Sequence, residues 1–80
     1  MSNREKYDQA FIECFSIAKD QLNEQLLYQS VPTWDSVGHM TLIGALESAF
    51  DIQMEMDDII DFSSYHKGIE TLTSKYNVTL

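Results

Sequence analysis

The sequence predicts an all-α domain: a four-helix bundle of three longer helices and one short helix, with a long loop between helices 1 and 2. Three observations carry that expectation. Apolar residues recur at helical spacing in three separate stretches. A serine or aspartate stands before each of them. No two segments alternate in the manner of paired strands. Hydrophobic residues form 44% of the chain and are spread along it, which disfavours a disordered polymer. Eighty residues are enough for one core and too few for two, so one domain over 1–80 is expected.

The first helix is expected over residues 3–19, fraying toward Leu22. Ser2 and Glu5 have the spacing of a capping box, and Tyr7, Phe11, Cys14, Phe15, Ala18 and Leu22 keep one apolar face. Residues 20–34 lose the pattern, and Pro32 excludes a regular helix interior there. Leu26, Leu27 and Val31 pin this loop to the core, and a loop so long in so small a domain is often functional. The second helix starts at Asp35-Ser36, either of which can cap it, and runs to Phe50. On a helical wheel Leu42, Ile43, Leu46, Ala49 and Phe50 face the core. Val37, Met40, Thr41, Gly44, Glu47, Ser48 and Asp51 face away.

Residues 52–56 alternate, but with no partner strand they read as an extended connection whose Ile52 and Met54 dip into the core. Asp57–Phe62 suits a single short helical turn. Ser63 or Ser64 then caps a last helix carrying Tyr65, Ile69, Leu72 and Tyr76. Gly68 inside that helix costs about 1 kcal/mol relative to alanine, which close packing against a neighbour would explain. Residues 77–80 read as a frayed tail.

Charge narrows the function. The formal net charge is −8, and no lysine or arginine occurs between Lys19 and Lys67. Nucleic acid and anionic membrane surfaces are disfavoured as partners; an acidic surface of this kind commonly serves solubility alone, and the sharper reading is a docking face for basic partners. No segment approaches the roughly 20 apolar residues that span a bilayer, and the N-terminus lacks the apolar run of a signal peptide. A monomer in a reducing, cytoplasmic compartment is expected. Cys14 has no partner for a disulfide and reads as a small core residue.

Catalytic motifs are lacking. There is no glycine-rich phosphate loop, and no Gly-x-Ser-x-Gly turn. His39 lies one turn after Ser36, but no carboxylate or oxyanion donor is specified to complete a nucleophilic site, so a small Ser36–His39 hydrolase is a distant reading. His39 reads as a packing or capping residue on the core side. The acids Asp51, Glu55, Asp57, Asp58 and Asp61 lack the spacing of a calcium loop, and no metal site is expected. Ser36 by itself reads as a helix cap. Its position at a helix start also suits a phosphate ester, because the helix dipole favours a negative group there.

Asp35-Ser36-Val37, followed by Leu42, Ala45-Leu46-Glu47, Phe50-Asp51 and Met54, resembles the attachment motif and following helix of acyl carrier proteins. The likeness runs on through Asp57-Asp58 to Ile69 and is strongest over residues 34–62. It implies an acyl-carrier-like bundle and a non-enzymatic, stand-alone carrier. Its 4'-phosphopantetheine arm would be esterified to Ser36 by a phosphopantetheinyl transferase and would hold acyl groups as thioesters. By the same resemblance Asp35 serves transferase recognition. Val37, Met40, Glu47 and Asp51 form the face that meets acyl-loading and acyl-processing enzymes through their basic docking patches. Leu42, Leu46, Phe50, Ile59 and Phe62 would shelter the chain. Gly38, Thr41 and Ser48 stand where housekeeping fatty-acid carriers carry acids, Val37 replaces leucine, and Trp34 precedes the motif. These departures imply a dedicated pathway, in polyketide, modified lipid or surface-polysaccharide biosynthesis. The alternative is an acidic helical interaction module in which Ser36 is only a cap.

Overall fold

The computed structural model describes residues 2–80 and is all-helical, with four α-helices and no named strand among those residues. The helices are α1 (Asn3–Phe15), α2 (Ser36–Phe50), α3 (Met56–Asp61) and α4 (Tyr65–Lys75). None of them is long and apolar enough to cross a membrane.

Helix α1 opens with both halves of the expected capping box. The Ser2 hydroxyl accepts from the Glu5 N–H and the Glu5 carboxylate accepts from the Ser2 N–H, each at 3.1 Å. It stops at Phe15, four residues before the expected end. Ser16 turns left-handed at φ 54°, and the Thr33 hydroxyl takes the Phe15 carbonyl at 2.8 Å. Ala18 and Leu22 continue the apolar period in sequence, but by then the chain has left the helix for a short 3-10 turn at Lys19–Gln21.

The long connection over residues 16–35 is pinned at two depths. Leu26 is buried, and Trp34 is fully buried in an aromatic core. The indole stacks on Phe15 with ring centres 5.1 Å apart and meets Phe11 edge-on at 5.6 Å. Leu42, Ile43 and Leu46 bury one face of α2 as expected, whereas Phe50 is only half-buried and Ala49 is exposed. Asp51 ends the helix in the left-handed conformation, φ 54°. Beyond it Met54 is buried and Ile52 packs partly against the core, as the alternation predicted.

Helix α3 has six residues and depends on its neighbours. Asp58, buried on its inner side, accepts from Lys75 Nζ at 2.7 Å and from the Tyr76 hydroxyl at 2.5 Å. These donors hold the carboxyl below the usual aspartate range, the Lys75 bond most strongly. The Tyr76 hydroxyl also accepts from the Glu55 N–H at 2.8 Å, fixing the start of α3. Ser64, not Ser63, caps α4 through the Lys67 N–H at 2.9 Å. Gly68 is buried where a Cβ would overlap Phe62 Cζ and the Tyr7 hydroxyl, so close packing does account for it. The expected frayed tail is incorrect in part. Val78 is buried and its N–H donates to the Leu72 carbonyl at 3.1 Å, because Asn77 turns left-handed and folds the chain back.

Candidate functional site

The chain before α2 is held by its aromatic anchor and by one glycine. Trp34 sinks into the core, which leaves Asp35 and Ser36 at the surface immediately after it. The Thr33 carbonyl lies directly against the first turn of α2, where a Cβ on Gly38 would overlap its oxygen. An acid at position 38 is therefore excluded sterically.

Asp35, not Ser36, is the N-cap. Its Oδ1 accepts from the Gly38 N–H at 2.8 Å, leaving Ser36 as the first residue of the helix. The premise that Ser36 serves as the cap is thus corrected. The Ser36 hydroxyl is exposed, and its side-chain neighbour is the Tyr28 hydroxyl at 3.3 Å, a long contact in which either oxygen can donate.

His39 does not face Ser36 as a base. Its Nδ1 accepts from Trp34 Nε1 at 2.9 Å, so the ring proton belongs on Nε2, which donates to the Ile59 carbonyl at 2.8 Å. Both nitrogens are committed to packing partners, and the serine–histidine hydrolase reading has no geometry to support it.

Beside Ser36 opens a groove of about 350 Å³ between α2 and α3. Met40, Met56, Ile59, Ile60 and Phe62 supply its apolar walls, and Tyr28, Ser36 and Ser63 place hydroxyls on it. No lysine, arginine, aspartate or glutamate lines it. Of the residues expected to shelter an apolar chain, Ile59 and Phe62 line this groove. Leu42 and Leu46 do not, because both are wholly buried inside the core, and Phe50 sits at the other end of α2.

The four residues expected on a docking face are not equivalent. Val37 and Met40 are exposed, at 75% and 56%, next to Ser36. Across the groove Met56 and Ile60 are exposed at 68% and 70%, a pair that the sequence reading missed. The signal was available, since Met56 and Ile60 are four apart and Ile59 is their inward neighbour, but a six-residue helix is too short for periodicity to be convincing. Glu47 is not a free surface acid. Its Oε2 accepts from the Met54 N–H at 2.8 Å and so shapes the turn after α2. Asp51 is exposed but stands at the far end of α2, fifteen residues and roughly 22 Å from Ser36 along the axis.

Exposed acids near this site come from Asp35 at the start of α2 and from Glu55, Asp57 and Asp61 on and beside α3. The outward face of α2 between Ser36 and Ser48 is instead small and mostly uncharged, with Val37, Met40, Thr41, Gly44 and Ser48 exposed. Comparison with protein-family models, curated proteins and solved structures finds no match to this chain.

Proposed function

We propose that this protein is an acyl carrier, with a 4'-phosphopantetheine arm esterified to Ser36 and acyl groups held on its terminal thiol. One observation carries the reading: an exposed serine hydroxyl, relieved of capping by Asp35, stands at the first residue of a long helix and on the lip of an apolar groove. A serine that only caps a helix needs no groove. The helix order, with a long first loop and a short α3 beside the serine, fits the acyl-carrier arrangement suggested by the sequence.

The residues present suit such a group. In the attachment step Ser36 Oγ forms a bond to phosphorus and yields its proton to a base on the transferase. The pyrophosphate bond of coenzyme A breaks and adenosine 3',5'-bisphosphate leaves. The arm, once attached, supplies a thiol for thioester chemistry. The chain's own part is to present the serine and to offer the acyl group an uncharged apolar surface. Hydrocarbon cargo suits walls of methionine, isoleucine and phenylalanine, with each buried methylene contributing about 0.8 kcal/mol.

Partner enzymes meet the rim of the groove, with Val37, Met40, Met56 and Ile60 at its apolar centre and Asp57 and Asp61 as acidic flanks for basic groups. The neutral face of α2 favours enzymes of a dedicated pathway over those of housekeeping fatty-acid synthesis. The alternative is an acidic interaction module in which Ser36 carries no group; Asp35 caps the helix in either case, and modification of Ser36 distinguishes the two.

Incubation with coenzyme A and a broad-specificity phosphopantetheinyl transferase is the direct test. The intact mass should rise by one phosphopantetheinyl group, and Ser36→Ala should remain unmodified while keeping its helical circular dichroism. An unchanged mass in the wild-type protein, or equal labelling of Ser36→Ala, rejects the proposal.

A further inference from the structure

The loop segment before Trp34 is tied down where it passes Ser36. The Tyr28 N–H donates to the Ser63 carbonyl at 2.9 Å and the Tyr65 N–H to the Leu26 carbonyl at 3.0 Å, with Leu27 and Ser64 forming an isolated antiparallel bridge. The turn that follows is closed by the Gln29 N–H on the Trp34 carbonyl at 3.0 Å and by the Leu27 N–H on the Ser30 hydroxyl at 2.9 Å. Gln29 is left-handed there, at φ 67°. The backbone of Tyr28 is thereby fixed. Its ring is held as well, edge-on to His39 at 5.4 Å and to Trp34 at 6.2 Å.

This framework delivers one phenol hydroxyl to within 3.3 Å of Ser36 Oγ, on the wall of the groove. While Ser36 is free, either oxygen can donate. Esterification removes that freedom, because Oγ then has no proton and Tyr28 alone can donate. A phosphoryl oxygen is also a stronger acceptor than a hydroxyl, since it carries charge. Among the side chains on the groove, both His39 nitrogens are engaged and no lysine or arginine is present; of the hydroxyls of Tyr28 and Ser63, the one in contact with Ser36 Oγ is that of Tyr28.

The geometry points to Tyr28 as the positioning residue of the arm: its hydroxyl donates to the phosphodiester on Ser36 and directs the arm along the groove instead of into solvent. This assignment rests on the carrier reading of Ser36. It is separable from packing, because Tyr28→Phe keeps the ring that touches Trp34 and His39 and removes only the hydroxyl.

The test compares wild-type and Tyr28→Phe proteins loaded by a broad-specificity transferase from coenzyme A and from octanoyl-coenzyme A. Intact mass establishes loading, phosphorus-31 NMR reads the phosphodiester, and hydroxylamine cleavage reads exposure of the octanoyl thioester. Tyr28→Phe should load fully and melt within about 4 °C of the wild type. Its phosphorus resonance should move toward that of a free phosphodiester, and its thioester should be cleaved roughly tenfold faster, as expected for losing a hydrogen bond to a charged group. In the wild-type loaded protein, nuclear Overhauser contacts should join the Tyr28 ring to the arm, a measurement independent of any variant. An unmoved resonance with an unchanged cleavage rate, or absent contacts in the wild type, overturns the role of Tyr28 alone. Failure of the wild type to gain mass overturns the carrier reading and this assignment with it.

Discussion

One substitution made at two glycines should have opposite signs. Glycine to alanine within a helix gains about 1 kcal/mol of intrinsic helix propensity wherever the added methyl group meets nothing. Gly44, in the exposed middle of α2, meets that condition, since beyond its chain neighbours and the helix's own backbone nothing lies within 4 Å of its would-be Cβ. Gly44→Ala is therefore expected to stabilise by about 1 kcal/mol, a rise in melting temperature of about 4–8 °C for a domain of this size.

At Gly68 the same methyl would overlap Phe62 Cζ and the Tyr7 hydroxyl, and it would stand 2.7 Å from Phe62 Cε2. Both rings are fully buried and lie within one aromatic cluster, so neither has space to withdraw. Overpacking of this kind costs about 1–3 kcal/mol. Moving the Tyr7 hydroxyl also weakens its 2.6 Å bond to the Tyr65 carbonyl, a loss of about 1 kcal/mol. Set against the propensity gain of about 1 kcal/mol, Gly68→Ala should destabilise by roughly 1–3 kcal/mol. Urea unfolding followed by far-ultraviolet circular dichroism measures both variants on one scale. A Gly68→Ala midpoint at or above the wild type, or a clear loss at Gly44→Ala, refutes the packing argument.

Three further outcomes are expected. Asp35→Ala should lose about 1 kcal/mol by removing the cap of α2, whereas Ser36→Ala should stay within about 0.5 kcal/mol, and chemical denaturation distinguishes the two. Glu47→Ala should free the Met54 N–H and accelerate amide exchange in the turn after α2, while exchange in α1 stays near the wild-type rate. Acid should weaken the attachment of α3. Asp58 titrates below the unfolded value of about 3.9 because Lys75 and Tyr76 donate to its ionised form. Its contribution is whole well above that value and vanishes as pH falls through the lower folded one. Asp58→Asn should be less stable at pH 7 and should show a shallower fall in melting temperature between about pH 5 and 2. Parallel curves for the two proteins would count against that role.

Local chemistry was readable where a single rule decided it. The capping box at Ser2 and Glu5, the start of α2 after Trp34 and the crowded Gly68 were all visible as residue types at fixed offsets. Features that depend on distant chain were not. The apolar period continues through Ala18 and Leu22, but Ser16 turns left-handed and Thr33, from the far end of the following loop, takes the Phe15 carbonyl where α1 ends. Val78 becomes a core residue because Asn77 reverses the chain, which no periodicity in four terminal residues could reveal. At the site, Ser36 and Val37 were marked by their place at a helix start. Tyr28 was not singled out, because it lies eight positions before its neighbour in an irregular loop and the contact exists only after the loop closes. The tie from Glu47 to the Met54 N–H was hidden for a related reason: the wheel position of Glu47 faces outward, and the backbone of Met54 returns to meet it.

The placement of His39 has a mechanical consequence. The imidazole is spliced between the Trp34 indole in the loop and the Ile59 carbonyl in α3, at 2.9 and 2.8 Å, so one ring braces both walls of the groove. Any outward swing of α3 large enough to widen the groove must break the Ile59 link or drag the imidazole with it. In the second case Trp34 loses its acceptor within a fully buried site, and the strain reaches the residue next to Asp35. Opening the groove and loosening the platform under Ser36 then become one event, and the indole fluorescence of Trp34 would report it directly.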